Sequence, residues 1–562
     1  MSVYTELRHN IKTRFSEALL AARAAGELDF AAVPPFVLEE PRERAHGDLA
    51  VNAALLLAKE TRRPPREVAA VLLRHLRPEG VWIAGTEVAG PGFINIHLDP
   101  AWLGGVLPEI LTAGPRYGAS DMGRGQKVQV EFVSANPTGL LHMGNARGAA
   151  LGDSLAALLA FTGCEVEREF YLNDTGNQIN TLALSLEARY FQLLGREGLV
   201  PENGYHGEDV TDTMRELVAR DGAMYLDMEA AARREALTAY ALTAKTAAMR
   251  RVLADFGVRY DIWFSEKSLH TSGYVRETLD VLAAGGHIYE RDGAVWLKGL
   301  ALGEEKDEVM IRSDGTPTYF AADIAYHRHK FARGFTRVIN IWGADHHGHV
   351  ARMQAALGAL GLPPQSLRVI LMQFVRLIEG GEVVKMSKRT GRYITLHDLL
   401  TDVGRDAARF FFLLRAPDST VDFDLDLAKK ESAENPVFYV QYAHARLCSI
   451  IRHAQAMGLD IEQTPAASVC ALLSTTQETA LLRCLAFWPE EVERAARLAE
   501  PHRLTAYVLE LAGLYHSFYN HCRVLQAETE DLRAARVALV RGTRFVLAAA
   551  LGILGVTAPE SM

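Results

Sequence analysis

Residues 128–147 read VQVEFVSANPTGLLHMGNAR. Val128–Ser134 has the composition of a strand, and Asn136–Gly139 (NPTG) is a turn. From His142 the spacing predicts a helix, with Leu151, Leu155, Leu158 and Leu159 on one face and Gly163 as its stop. Val166, Phe170 and Leu172 then mark a second strand. Strand, helix and strand in this order are the building block of a parallel sheet. A second such unit follows at Arg337–Trp342, His347–Leu360 and Leu367–Met372. The segment between the two units, about residues 180–315, is too long for a simple crossover. It reads as an inserted domain that splits one nucleotide-binding sheet. Beyond the second unit, VRLIEGGEVVKMSK (375–388) reads as a hairpin turning at Gly380-Gly381 and running into a lysine-bearing loop.

On either side the pattern changes. Residues 1–112 read as a small α+β unit: a long N-terminal helix stopped by Gly26, two shorter helices and a strand ending in GFINIHL. From Thr395 the pattern is almost wholly helical, with Thr395 and Asp398 spaced for a capping box. The expected division is therefore 1–112, 113–394 and 395–562. The expected class is α/β: a Rossmann-type parallel sheet with an insertion, a small α+β N-terminal domain and an all-α C-terminal bundle. A chain of 562 residues has room for these parts at roughly 150 residues each.

Composition narrows the function. The formal charge of −9 gives no global basic field, so a nucleic acid would have to be met by local patches. Five scattered cysteines without a Cys-x-x-Cys pair argue against disulfides and a cysteine zinc site, and no structural zinc is expected. The start MSVYTELRHN lacks an apolar targeting core. The longest apolar run, Phe545–Val556, is shorter than the roughly 20 residues of a membrane span and reads as a buried helix. No membrane association is expected.

Two clusters carry chemistry. His142, Gly144 and Asn145 stand where a helix N-terminus follows the first strand, with N–H groups and dipole suited to phosphate. Lys385-Met386-Ser387-Lys388 follows the last strand, where two lysines could clamp a polyphosphate. Each alone could be an ordinary helix start or a solvated basic loop. Their pairing resembles the HIGH and KMSKS signatures of class I aminoacyl-tRNA synthetases. The stretches EFVSANPTGLLHMGNAR (131–147), YLNDTGNQ (171–178), SDGTPTYFAADIAY (313–326), GADHHG (343–348) and DAARFFFLL (406–414) are similar to arginyl-tRNA synthetases of the bacterial type, over nearly the whole chain. Two positions depart from the signatures: Asn145 replaces the second histidine of HIGH, and Arg389 replaces the last serine of KMSKS.

The resemblance implies ATP-dependent activation of L-arginine and its transfer to tRNA(Arg), in the cytoplasm, by an enzyme expected to be a monomer, with Mg²⁺ carried on the ATP phosphates. It implies a catalytic set of His142, Asn145, Lys385 and Lys388. ATP would be bound by these together with Gly144, Gly343, Asp345, His347, Met386 and Ser387. It puts Glu131, Ser134, Asn136, Tyr319, Asp323 and His347 around arginine, with Glu131 at the ammonium end and Asp323 at the guanidinium. It places Phe93 and Asn95, then Tyr439, Tyr442, Arg446, Tyr515, Tyr519 and Arg523, against tRNA. His346, His347 and His349 could suggest a metal, but their spacing makes a poor chelating face and no metal site is expected. Two rivals are a tRNA-independent adenylyltransferase and a catalytically dead relative that only binds RNA. The extra N- and C-terminal modules argue against the first, and the intact His142, Gly144, Lys385 and Lys388 against the second.

Lys385→Ala or Lys388→Ala is expected to slow adenylate formation by about 10²–10³ with little change in arginine binding. Single-turnover rates near wild type for both variants would reduce the loop to a solvated basic stretch.

Overall fold

A computed structural model describes residues 2–41, 46–384 and 394–562. Its centre is a five-stranded, wholly parallel sheet. Strand β1 (Lys127–Glu131) leads into helix α1 (Met143–Phe161) and back to β2 (Glu165–Leu172). Strand β3 (Ile262–Ser265) lies outside β2; helix α2 (Tyr319–Ala332), β4 (Arg337–Gly343), α3 (His347–Ala359) and β5 (Leu367–Met372) complete the unit. The spatial order is β5-β4-β1-β2-β3, so the chain reverses direction across the sheet between β1 and β4. In sheets of this kind ligands bind at that point, in the crevice beyond the carboxyl ends of the strands.

The sheet is interrupted twice. Helices Asn177–Leu193, Glu208–Asp221 and Ala230–Asp255 separate β2 from β3, and they pack on a small core of their own around Leu186, Tyr190 and Met214. A three-stranded antiparallel sheet (Ile288–Arg291, Ala294–Leu297, Glu308–Ile311) lies between β3 and α2. The stretch 180–315 thus holds β3 within it, paired in parallel with β2 from Glu169↔Ile262 to Leu172↔Ser265. Four residues, IWFS, are too few for periodicity to announce a strand.

The N-terminal module has helix Val3–Ala24 and a four-stranded antiparallel sheet in the order Leu38–Glu39, Leu49–Val51, Phe93–Leu98, Ile83–Ala89. The C-terminal part is built on helices Leu396–Phe412, Pro436–Ala456, Thr476–Leu498, Arg503–His521 and Glu530–Leu554. Thr395 and Asp398 do form the expected capping box. Helix Glu530–Leu554 is long and apolar enough to cross a membrane, yet 72% of its most apolar stretch is buried within the protein. One continuous apolar core runs from Tyr4 through α1 to Val556, so the three parts share their interior.

Helix α1 is the hub of that core. It presses so closely on the end of β1 that a Cβ at Gly152 would come 2.1 Å from the Phe132 ring. Two buried arginines fasten it. Arg147 donates to the carbonyls of Gln373 (2.7 Å), Ala416 (2.8 Å) and Ser419 (2.8 Å), and burial pushes its guanidinium down to about 10. Arg409, on Leu396–Phe412, donates to Asp153 of α1 (2.7 Å) and to the carbonyls of Leu554 (3.0 Å) and Phe256 (3.3 Å). A buried guanidinium is tolerable only when its donors all meet acceptors.

Arg409→Met is expected to destabilise the fold by roughly 3–5 kcal/mol, towards the lower end because Asp153 keeps Arg168 at 3.0 Å. Arg376→Met, which removes an exposed pair with Asp422, should leave the melting midpoint where it is. Thermal unfolding of both variants checks the contrast, and equal midpoints would show that the Arg409 contacts are not limiting.

Candidate active site at the carboxyl edge of the sheet

The first turn of α1 opens onto the crevice. His142 is the N-cap, and its Nδ1 accepts the Gly144 N–H at 3.1 Å, while the Asn145 side-chain oxygen accepts the His142 N–H at 3.1 Å. The two expected catalytic side chains therefore form a capping box. For a neutral ring this puts the His142 proton on Nε2. Gly144 allows the fold-back: a Cβ there would stand 3.1 Å from the ring. His142 also pairs with Thr395 in an isolated antiparallel bridge, and the Leu396 N–H donates to Leu141 C=O at 2.8 Å. Lys385, Met386, Ser387 and Lys388 lie outside the described residues. Their flanks are described: the hairpin Val375–Glu379/Glu382–Val384 on one side and this bridge on the other.

Across the crevice, Gly343 ends β4, and Asp345 and His347 stand exposed at the start of α3. His349, two residues further, meets an acid of α2: its Nε2 lies 3.1 Å from Asp323 Oδ2. Its ring packs against Trp342 and Phe320. Tyr319 and Asp323 share one face of α2, as their spacing requires. Tyr319 is half exposed, and its hydroxyl packs against Gly176, where a Cβ would approach within 3.2 Å. Asn136 donates to Gln178 at 2.6 Å.

Glu131 ends β1 and is buried, with its carboxylate bonded to Lys330 of α2 and to the Ser134 hydroxyl (2.9 Å). Burial alone would raise its pKa, but the Lys330 ammonium and the hydrogen bonds from Lys330 and Ser134 outweigh burial and hold it below the usual range. The ammonium role expected of Glu131 thus meets a carboxylate that already has an internal cation.

A further acid was not visible in the sequence. Glu266 directly follows β3 and is buried at the same edge of the sheet. The Tyr171 hydroxyl bonds to it, and the Asn173 amide, oriented to satisfy its neighbours, donates to it at 3.1 Å. Burial, with Asp323 and Asp174 nearby, pushes its carboxyl up to about 7. The signal that could have found it was β3 itself, since a residue just past a parallel strand lies where ligands bind. Among the described residues no group of three or more His, Cys, Asp or Glu is arranged to hold a metal ion.

The residues expected to face tRNA divide by exposure. On the C-terminal helices Arg446 lies between two exposed rings, 4.7 Å from the centre of Tyr442 and 4.3 Å from that of Tyr519. Tyr439 packs on His516 at 4.7 Å, and Arg523 is exposed beyond Arg503–His521. Tyr515 is fully buried and belongs to the core. In the N-terminal module Phe93 is part-exposed, whereas Asn95 is buried and donates to Glu87 at 3.1 Å.

The chain matches known proteins along its length. Residues 7–98 match the family described as "Arginyl tRNA synthetase N terminal domain". Residues 106–412 match "tRNA synthetases class I (R), catalytic domain", and residues 440–562 match "DALR anticodon binding domain". It is 60% identical over 562 residues to the arginine–tRNA ligase of Desulfitobacterium hafniense, covering 100% of both chains. It is 57% identical to that of Heliobacterium modesticaldum, again covering 100% of both. Among solved structures it is similar to arginyl-tRNA synthetase of Thermus thermophilus, with a TM-score of 0.76, 25% identity, and coverage of 99% of this chain and 100% of the other. The Campylobacter jejuni structure described as a putative arginyl-tRNA synthetase gives 0.75 at 33% identity, over 83% and 100%. With relatives this similar from end to end, and family models matched in all three parts, the chain belongs to the arginyl-tRNA synthetases of class I.

Proposed function

We infer that the protein is an arginine–tRNA ligase that activates L-arginine with ATP and transfers it to the 3′-terminal ribose of tRNA(Arg). The observation that carries the reading is a pair of acids near one another at the carboxyl edge of the sheet, Asp323 on α2 and Glu266 after β3, the edge from which α1 also starts. A guanidinium is always charged and offers five donors in a fixed fork, so its pocket needs acceptor-only groups. Asp323 and Glu266 supply them, with Tyr319 and Asn136 beside them and His349 poised on Asp323.

In the first step the arginine carboxylate attacks the α-phosphate of ATP. A new O–P bond forms, and the bond to pyrophosphate breaks. The backbone N–H groups of the first turn of α1, with His142 and Asn145, are set to steady the phosphates; Lys385 and Lys388 are proposed to neutralise the departing pyrophosphate. Mg²⁺ is proposed to enter on the ATP phosphates, held largely by phosphate and water. In the second step a terminal ribose hydroxyl attacks the activated carbonyl, and AMP leaves. For tRNA, the Tyr442–Arg446–Tyr519 stack offers ring faces to unstacked bases and a cation to phosphate. Phe93 is proposed as the contact of the N-terminal module. The division into 1–112, 113–394 and 395–562, a monomeric state and a cytoplasmic location remain part of this reading.

Asp323→Asn is expected to lower kcat/KM for arginine by about two to four decades while leaving ATP affinity and the melting midpoint unchanged. An amide turns two donors towards a group that has only donors, and neutral citrulline should be far less affected. Aminoacylation of total tRNA with each amino acid, wild type against variant, is the measurement. Charging with an amino acid other than arginine would sink the reading, and normal arginine use by the variant would move the guanidinium partner elsewhere.

Glu266 gives a pH signature. Its carboxyl titrates at about 7 in the substrate-free site, and a cation beside it favours the ionised form and lowers that value. Arginine binding should therefore release a proton near pH 6–7. The arginine KM should fall as pH rises through about 7 and be flat above it. Glu266→Gln should abolish that slope; an unchanged slope in this variant would assign it to another group.

A further inference from the structure

Behind the crevice a chain of hydrogen bonds runs through the core, with the Lys330 ammonium donating in both directions along it. The His327 Nδ1 bonds to the Asp323 carbonyl at 2.7 Å, and its Nε2 faces the Asn340 amide nitrogen at 2.7 Å. Burial first, and Lys330 next, push the His327 ring down to about 4, so it is neutral, a donor at Nδ1 and an acceptor at Nε2. Asn340, on β4, accepts from Lys330 Nζ at 3.0 Å through its oxygen. Lys330 donates in turn to Glu131, whose carboxylate receives the Ser134 hydroxyl, and Ser134 Oγ accepts the Tyr171 N–H at 3.2 Å. The remaining face of the Lys330 ammonium lies over the Tyr326 ring, 4.3 Å from its centre. Lys330, Asn340 and His327 are all nearly or fully buried.

The chain ends on strained backbone. Val133 has φ +69° and Ser134 φ +40°, in the left-handed region that a β-branched residue strongly avoids. Such a turn persists only where its surroundings over-determine it. This one bends the chain between Glu131 and Asn136, two residues of the proposed pocket.

We infer that Lys330 is a positioning residue for the amino-acid pocket, acting through Glu131 to hold the Val133–Ser134 turn and, with it, Asn136 in place. The inference rests on the reading of Glu131 and Asn136 as arginine-pocket residues. Lys330 has no route of its own to the crevice: its carboxylate, amide and ring partners surround it. It sets the direction of the Glu131 carboxylate, and that carboxylate sets the direction of Ser134. Asn340 and His327 fix the ammonium from the other side and tie the same chain to the backbone of Asp323, the proposed guanidinium partner.

The test is a double-variant cycle on the full-length enzyme with tRNA saturating. Lys330→Met is expected to lower kcat/KM for arginine by on the order of 10²-fold, through KM, with the ATP KM unchanged. Glu131→Gln should be impaired in the same sense. The double variant Glu131→Gln/Lys330→Met should match Glu131→Gln alone, because a residue acting only through Glu131 has nothing further to lose. The double variant buries a neutral pair, so it decides the matter even if Lys330→Met unfolds. Normal arginine use by Lys330→Met while Glu131→Gln is impaired overturns the inference. So does an equal rise of the ATP and arginine KM, or a full second penalty in the double variant. Normal arginine use by Glu131→Gln overturns both this inference and the pocket assignment beneath it, and it is read from a different variant.

Discussion

Two buried guanidinium groups hold α1, the helix whose first turn is proposed to receive phosphate. Arg147 ties the helix to the segment after β5 and to the loop around residues 416–419; Arg409 ties its middle to the C-terminal helices. Apolar contacts alone would bury this helix but tolerate small shifts along its axis. A fork of donors that must each meet an acceptor does not tolerate them. The first turn of α1, the start of the hairpin at Val375 and the helices proposed to carry the anticodon surface are thereby fixed in one frame.

The parts legible in the sequence are those whose signal is local. The turn NPTG, the Leu151–Leu159 stripe and the capping pair Thr395/Asp398 each dictate structure within a few residues, and each is found as read. What escaped is what only the fold assembles. Strand β3 is four residues long and buried in a helical context, so neither alternation nor length marks it, and Glu266 was lost with it. His349 rather than His347 meets Asp323, because two residues along the helix rotate the side chain by about 200° and bring it to α2; in HHGH the candidates look alike. Tyr515 and Asn95 read as surface residues by type and lie inside, since aromatic spacing on a helix cannot distinguish a base-stacking face from a core face.

The acids of the crevice are each balanced differently before substrate arrives. Glu131 has Lys330, Asp323 shares a hydrogen bond with His349, and Glu266 is kept partly protonated by burial. Only the last two can exchange their partner for an incoming cation at little cost, since the first is closed on all sides. Discrimination for a guanidinium is therefore proposed to rest on Asp323 and Glu266, with Glu131 proposed to contribute shape.

The Leu554 carbonyl accepts from Arg409 and also from the Ser154 hydroxyl of α1, a contact spanning 400 residues. A nascent chain emerges at roughly 5–20 residues per second, so α1 leaves the ribosome about 20–80 s before its last partner exists. During that interval the Asp153 and Ser154 face of the helix lacks its C-terminal cover. The last strand of the sheet ends at Met372, yet α1 gains its final partner only at residue 554, so a product cut short before that point leaves this face of the helix open. The anchoring of α1 thus depends on a segment of the chain made long after the helix itself.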